Sequence, residues 1–210
     1  MKTEETSSME GRIIEAAKRI FVRKGYEATT MSDIAAEVGI SRTAMHYYFR
    51  TKDMMFEAIF AQLIDMVLPN IELIMNEHTT ILEKLPKVID QYLAALRNNQ
   101  MFPLFVVNEM NRDMLHLFQV IAKDPKRVEV LMRFKQQTQD EMDRGLIKPR
   151  PLEDIISAFI GLIVFPLLIR NVLLAIFMEG KTEAFDELLN RRKQLIYDAM
   201  YHLMAPEEKK

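Results

Sequence analysis

The run from Asp33 to Lys52, DIAAEVGISRTAMHYYFRTK, places small, turn and apolar residues where two short helices have to cross tightly. Thr30 can cap a first helix, with Asp33 three residues on to answer it, and that helix then runs through Ile34, Ala35 and Val38. Gly39 ends it, because glycine enters the left-handed region at little cost, and Ile40 can tuck into the angle between the helices. Ser41 caps a second helix on which Met45, Tyr48 and Phe49 share one face and are expected to point inward. Arg42, Thr43, Ala44, His46 and Tyr47 are then left toward a partner, the arrangement of a helix-turn-helix that inserts its second helix in the major groove of DNA.

The flanking sequence completes a three-helix head. A helix from about Met9 to Lys24 starts at a capping box of Ser7 and Glu10, buries Ile13, Ala17, Ile20 and Phe21, and ends before Gly25. Between Gly11 and Lys52 eight Lys and Arg face four Asp and Glu, a net charge of +4 in a chain whose total is −2. The rest of the chain is therefore acidic, which suits a basic module that touches phosphate and a remainder that stays off it.

Beyond Lys52 the sequence is helical almost throughout, punctuated by proline and capping residues, with no alternating strand pattern. Thr51 caps a helix expected to run to about Leu68, where Pro69 breaks or kinks it; others read from about Thr80 to Asn98, Phe102 to Ala122 and Pro125 to Gly145. The most apolar stretch is Ile155 to Met178, but its uncharged part, Ile155 to Ile169, falls short of the roughly 20 residues a membrane span needs. It reads as a buried helix bent at Pro166. A last helix from Thr182 to about Leu203 carries a broad apolar stripe. Paired with their copies, these two helices would form a four-helix dimer interface, with Ile163, Leu167, Val172, Phe185, Leu189, Ile196 and Met200 as the expected contacts.

Several classes of chemistry drop out. With no cysteine there is no disulfide, thiolate nucleophile or Cys-bound zinc. The six glycines are isolated, so no phosphate loop or nucleophile elbow exists. Glu109, Asp113 and His116 share one helical face, yet Arg112 beside them points to ordinary exposed pairs, and neither a metal nor a cofactor is implied. An enzyme is not expected. The polar opening MKTEETSS is unlike a signal peptide, and a cytoplasmic location is expected.

Gly25-Tyr26, Ala28 to Met31, Asp33-Ile34-Ala35, Gly39-Ile40-Ser41, Tyr48-Phe49 and Lys52-Asp53 together resemble the N-terminal domain of TetR-family transcriptional regulators, over roughly the first 60 residues. The resemblance implies an all-α fold of about nine helices, a helix-turn-helix domain at 1–51, and a helical ligand-sensing and dimerisation domain at 52–210 that dimerises through the last two helices. It also implies DNA contacts at matching positions: Thr30 and Lys52 on phosphate, with the basic first helix beside them; Ser41, Arg42, Thr43 and Ala44 at the front of the reading helix; and His46, Tyr47 and Tyr48 further along it. Arg42 suits a guanine edge. Thr43 and His46 depart from the glycine and tyrosine common in the family, so base preference and the phosphate contact are expected to differ.

A two-fold dimer would read a palindromic operator. A sensing pocket is likewise implied by the resemblance, with Tyr92, Phe102, Phe105, Val106, Glu109, Met110, Met114, Met132 and Phe159 as candidate lining, although the same residues at helical spacing also fill any core. The function that follows is a repressor released from its operator by a small apolar or amphipathic ligand. The alternative is a DNA-binding regulator with no small-molecule effector, controlled by a protein partner.

Overall fold

The computed structural model describes residues 8–98 and 102–206, apart from the side chains of Leu63, Asn98, Phe102, Glu109, Met114, His116 and Leu117. Among the described residues it is all helix, with eleven helices where about nine were expected. They are α1 (Met9–Ala28), α2 (Met31–Val38), α3 (Arg42–Tyr48), α4 (Lys52–Met75), α5 (Ile81–Asn98), α6 (Phe102–Arg112), α7 (Met114–Ala122), α8 (Pro125–Asp143), α9 (Leu152–Leu168), α10 (Arg170–Phe177) and α11 (Thr182–Met204). They form two compact units, residues 1–65 with 104–123, and residues 66–103 with 124–210.

The first unit is the head. Ile13, Ala17, Ile20, Phe21, Ile34, Ala35, Met45 and Phe49 are buried in it as their spacing requires, joined by Met55, Phe56, Ile59 and Phe60 from α4. Phe105 of α6 completes this core, stacking on Phe56 at 4.8 Å between centroids and lying 6.2 Å from Phe21. Each such side chain contributes roughly 1.5–3 kcal/mol by leaving water. The expected single helix from Phe102 to Ala122 is broken at Asp113. No glycine or proline marks the break; Arg112, at the end of α6, is held by Tyr26 and Glu27.

In the second unit α11 packs on α5, α9 and α10, and α8 packs on α5. Its core joins Ile81, Leu85, Ile89 and Leu93 to Ile155, Ile163 and Leu167 and to Phe185, Leu189, Ile196 and Met200. Pro69 does not end α4, which continues to Met75. The lost hydrogen bond is outweighed because the extra turns bring Ile71 and Met75 onto this core.

A buried polar chain ties down the turn after α4. Lys84, 2% exposed, donates from Nζ to the carbonyl of Met75 at 3.0 Å and to Gln137 at 2.7 Å. Gln137 in turn donates to Glu141, whose carboxylate accepts from the Ile81 amide at the start of α5. Burial pushes the Lys84 ammonium down from its ordinary range.

The apolar stretch expected to be one bent helix is two, α9 and α10, meeting at 60°. Pro166 withholds the amide that Leu162's carbonyl would accept, and Arg192 takes that carbonyl instead, at 2.8 Å from Nη2 and 3.2 Å from Nε. Arg170 begins the second segment with its guanidinium 5.2 Å from the Phe185 ring. At 17 and 8 residues neither segment reaches the roughly 20 of a span.

Candidate nucleic-acid interface

The head is built by caps. Gly25 leaves the helical region at φ 78°, which turns the end of α1 toward α2. At Thr30 a full capping box forms: the Asp33 amide donates to the Thr30 hydroxyl oxygen at 3.1 Å, while the Asp33 carboxylate accepts from the Thr30 amide at 2.9 Å. Lys24 reaches the same carboxylate at 3.0 Å. The Lys24 bond and then the Thr30 amide hold the Asp33 carboxyl at about 2, against an ordinary 3.8. Gly39, at φ 80° and ψ 32°, closes α2, and the Ile40 amide returns to the Ala35 carbonyl at 3.0 Å. Ser41 accepts from the Ala44 amide at 3.1 Å and starts α3.

On α3, Met45 is fully buried and Phe49 nearly so, which fixes the outward side. Arg42 and Thr43 are exposed, and Tyr47 is 85% exposed. Ala44 and His46 lie at the flanks, half-buried. Tyr48 departs from the expected inward face: it is 39% exposed and meets Tyr47 edge to face at 5.4 Å. A seven-residue helix buries only the side nearest α2, and Met45 with Phe49 fills that side. Tyr47 and Tyr48 thus form a paired aromatic surface beside Arg42 and Thr43.

Two expected phosphate groups have other work. The Lys52 ammonium donates to the carbonyls of Tyr26, Glu27 and Thr29 at 2.7, 3.3 and 3.0 Å, capping the end of α1, and sits 4.2 Å from the Tyr26 ring centre. With its three protons committed, the side chain joins α4 to α1 and is not set out for phosphate. On Tyr26, Arg112 lies 3.8 Å from the ring centre and the hydroxyl donates to Asp53. The Thr30 hydroxyl likewise donates to Asp33.

The basic first helix is also spoken for. Arg12 bonds the Val38 carbonyl, Lys18 bonds Glu15 and Gln62, Arg19 and Arg23 reach Glu37, and Lys24 reaches Asp33. Those of Arg12, Arg19, Arg23 and Lys24 stitch α1 to α2, while Lys18 reaches along α1 and across to α4. Among the described residues of α3 and the turn after it, Arg42 and Arg50 are exposed guanidiniums without an ion pair.

The other expected sites separate. Ile163, Leu167, Phe185, Leu189, Ile196 and Met200, expected at a dimer interface, are 0–7% exposed in the chain's own core. A helix that is apolar on several sides gives no spacing signal for which side faces a neighbour, and within the chain α11 packs on α5, α9 and α10. Val172, 49% exposed, is the one of the seven that lies outside, and around it Phe165, Leu168, Ile176 and Phe177 are exposed as well.

Of the candidate ligand residues, Tyr92 and Phe159 meet edge to face at 5.4 Å in the second unit, where burial pushes the Tyr92 phenol up. Phe105 belongs to the head core, Val106 is half-buried, and Met110 and Met132 are exposed. The side chains of Phe102, Glu109 and Met114 lie outside the described residues. A groove of about 490 Å³ between α10 and α11, lined by Leu173, Phe177, Met178 and Leu188 with Glu187 and Arg191, was not anticipated. Among the described residues no group of three His, Asp or Glu could hold a metal ion.

Residues 13–59 match the model of the family described as bacterial regulatory proteins, tetR family. The chain carries a TetR-family DNA-binding head. It is similar to the uncharacterized HTH-type transcriptional regulator YfiR of Bacillus subtilis (strain 168), 29% identical over 76% of this chain and 78% of that one. The fatty acid metabolism regulator protein of the same organism is 26% identical over 52% of this chain and 57% of its own length. In fold the chain resembles a TetR family transcription regulator from Marinobacter aquaeolei VT8, with a TM-score of 0.65 at 18% identity, covering 99% of this chain and 100% of that one. TetR-family members are DNA-binding transcriptional regulators, and not enzymes.

Proposed function

We propose that this chain is a TetR-family repressor that binds a palindromic operator as a homodimer and is released by a small apolar or amphipathic ligand. Residues 1–51 would act as the DNA-binding head and 52–210 as the sensing and dimerising part. One observation carries the reading: α3 and its C-cap bury Met45 and Phe49 and leave Arg42, Thr43 and Tyr47 exposed. In the groove, Arg42 pairs with a guanine edge and Tyr47 offers its ring to a thymine methyl or its hydroxyl to the backbone. Ser41, Ala44, His46 and Tyr48 flank this surface, and the starts of α2 at Thr30 and α4 at Lys52 orient it.

One short helix reads too few bases to be selective, so a second head is needed. The exposed apolar side chains Ile160, Phe165, Leu168, Val172, Ile176 and Phe177 support the outer side of α9 and α10 as the surface where two copies meet. For the ligand, the Tyr92 and Phe159 pair supplies an apolar surrounding with one phenolic handle, and the name of the fatty acid metabolism regulator points to the same chemical class. A ligand lowers operator affinity only by preferring one spacing of the two heads, and α4, which runs from the head into the second unit, is the lever. Both activities belong in the cytoplasm, with the DNA.

Selection of bound duplexes from a random pool, followed by footprinting and by thermal-shift screening of fatty acids and sterols, tests the proposal. An inverted repeat protected at two half-sites, with binding weakened by a compound of this class, is the expected result. Protection of a single half-site by a monomer would overturn the dimer, and release by no compound in a broad screen would overturn the ligand.

A further inference from the structure

We propose that His46 makes operator binding proton-linked: its imidazole takes up a proton as it meets a DNA phosphate, so that affinity rises as pH falls through the histidine range. This rests on the reading of α3 as the DNA-reading helix. The His46 Nδ1 lies 3.2 Å from the carbonyl oxygen of Arg50. A carbonyl only accepts, so Nδ1 carries the hydrogen and the ring is held with Nε2 directed elsewhere. In the neutral ring Nε2 is an acceptor, which repels a phosphate oxygen; protonated, it donates a charge-assisted bond.

The charges around it make an external anion the natural partner. On its own element Arg42 stands one turn earlier on the same edge, and Arg50 follows the helix end, both exposed. On α2, the carboxylates are Asp33, held by Lys24 and Thr30, and Glu37, held by Arg19 and Arg23. On α4, Lys52 is bound to the end of α1, and Asp53 accepts from Tyr26. Among the described residues each of these carboxylates is engaged by a group other than His46, so an external anion is the natural acceptor for an Nε2 proton. A phosphate drawn to this edge by Arg42 and Arg50 favours the imidazolium over the imidazole. A tyrosine placed there would donate a hydrogen bond without titrating in that range.

The test uses the full chain and a duplex that the wild-type protein recovers from a random pool at about pH 6, compared at about pH 6 and about pH 8 at fixed salt. Wild type should bind roughly tenfold or more tighter at the lower pH, with a steeper salt dependence there, by about one more phosphate per head. His46→Tyr should still bind, with a nearly flat pH profile, and His46→Gln should show the same flatness at lower affinity. Thermal unfolding of each variant at both pH values separates loss of fold from loss of contact, and His78 and His202, unchanged in the variants, serve as internal controls. Equal wild-type affinity at both pH values, or a slope that survives in both variants, overturns the inference and leaves operator binding standing. Failure of the wild type to bind any duplex at either pH overturns both.

Discussion

Apolar spacing marks the inner side of helix α3 at Met45 and Phe49, though not at Tyr48, and fails to mark it in the helices α9 to α11. In α3, Met45 and Phe49 lie among polar or small neighbours and between a serine cap and a chain reversal, so their common side is the buried side. In α9 and α11 apolar residues occupy several sides, and the set chosen as an outer contact, Phe185 and Leu189 among them, is the protomer's own core. The difference teaches that spacing identifies an inner face only where polar residues bound it.

The largest effects should come from breaking that contrast inside the second unit. Phe185→Ala should lower unfolding stability by roughly 3–5 kcal/mol, because it empties a fully buried site. Ile176→Asp, on the exposed side, should instead keep the helical signal and move the particle from dimer to monomer in sedimentation. A Phe185→Ala protein as stable as wild type would return that residue to the surface. Next, Lys84→Ala should cost roughly 3 kcal/mol, since it strands the Met75 carbonyl and leaves Glu141 without its nearby cation; Lys84→Met should cost less, in the same denaturant titration.

Smaller effects belong to the head. Arg42→Ala should weaken the selected operator by roughly 1–3 kcal/mol and relax preference at one base position of each half-site, read by titration against single-base variants. A uniform loss on every sequence would instead make Arg42 a phosphate contact. Thr30→Ala should lower stability by about 1 kcal/mol through loss of the cap.

The cap also carries a pH dependence. Asp33 sits at about 2 in the folded head and at an ordinary 3.8 when unfolded, so its contribution is complete above the ordinary carboxylate range and is lost as pH falls from about 4 through about 2. Asp33→Asn should flatten the stability profile in that acid window while leaving the neutral side parallel to wild type.

The legible part of the site was the part set by neighbours in the chain. Gly39, Thr30 with Asp33, and Ser41 with Ala44 act over three or four residues, so their hydrogen bonds were readable before any fold existed. Lys52 was not readable in this way, because its ammonium caps a helix that ends 24 residues earlier. The cations of α1 look free in sequence, and it is the approach of α2 that brings Glu37 and Asp33 to them. Tyr48 lies outside the buried side because a seven-residue helix has room to bury only part of an apolar arc.

The caps of α2 and α3, the Gly39 turn and the buried pair Met45 and Phe49 were thus determined by sequence alone, since each is a contact between residues a few positions apart whose geometry the backbone dictates. Tertiary structure alone decided that α4 runs through Pro69, that the Pro166 region breaks into two helices with Arg192 answering the freed carbonyl, and that Phe185 lies inside while Ile176 lies outside. Those outcomes depend on which of several apolar sides finds a partner distant in the chain, and the hydrophobic effect, being non-directional, leaves that choice to packing.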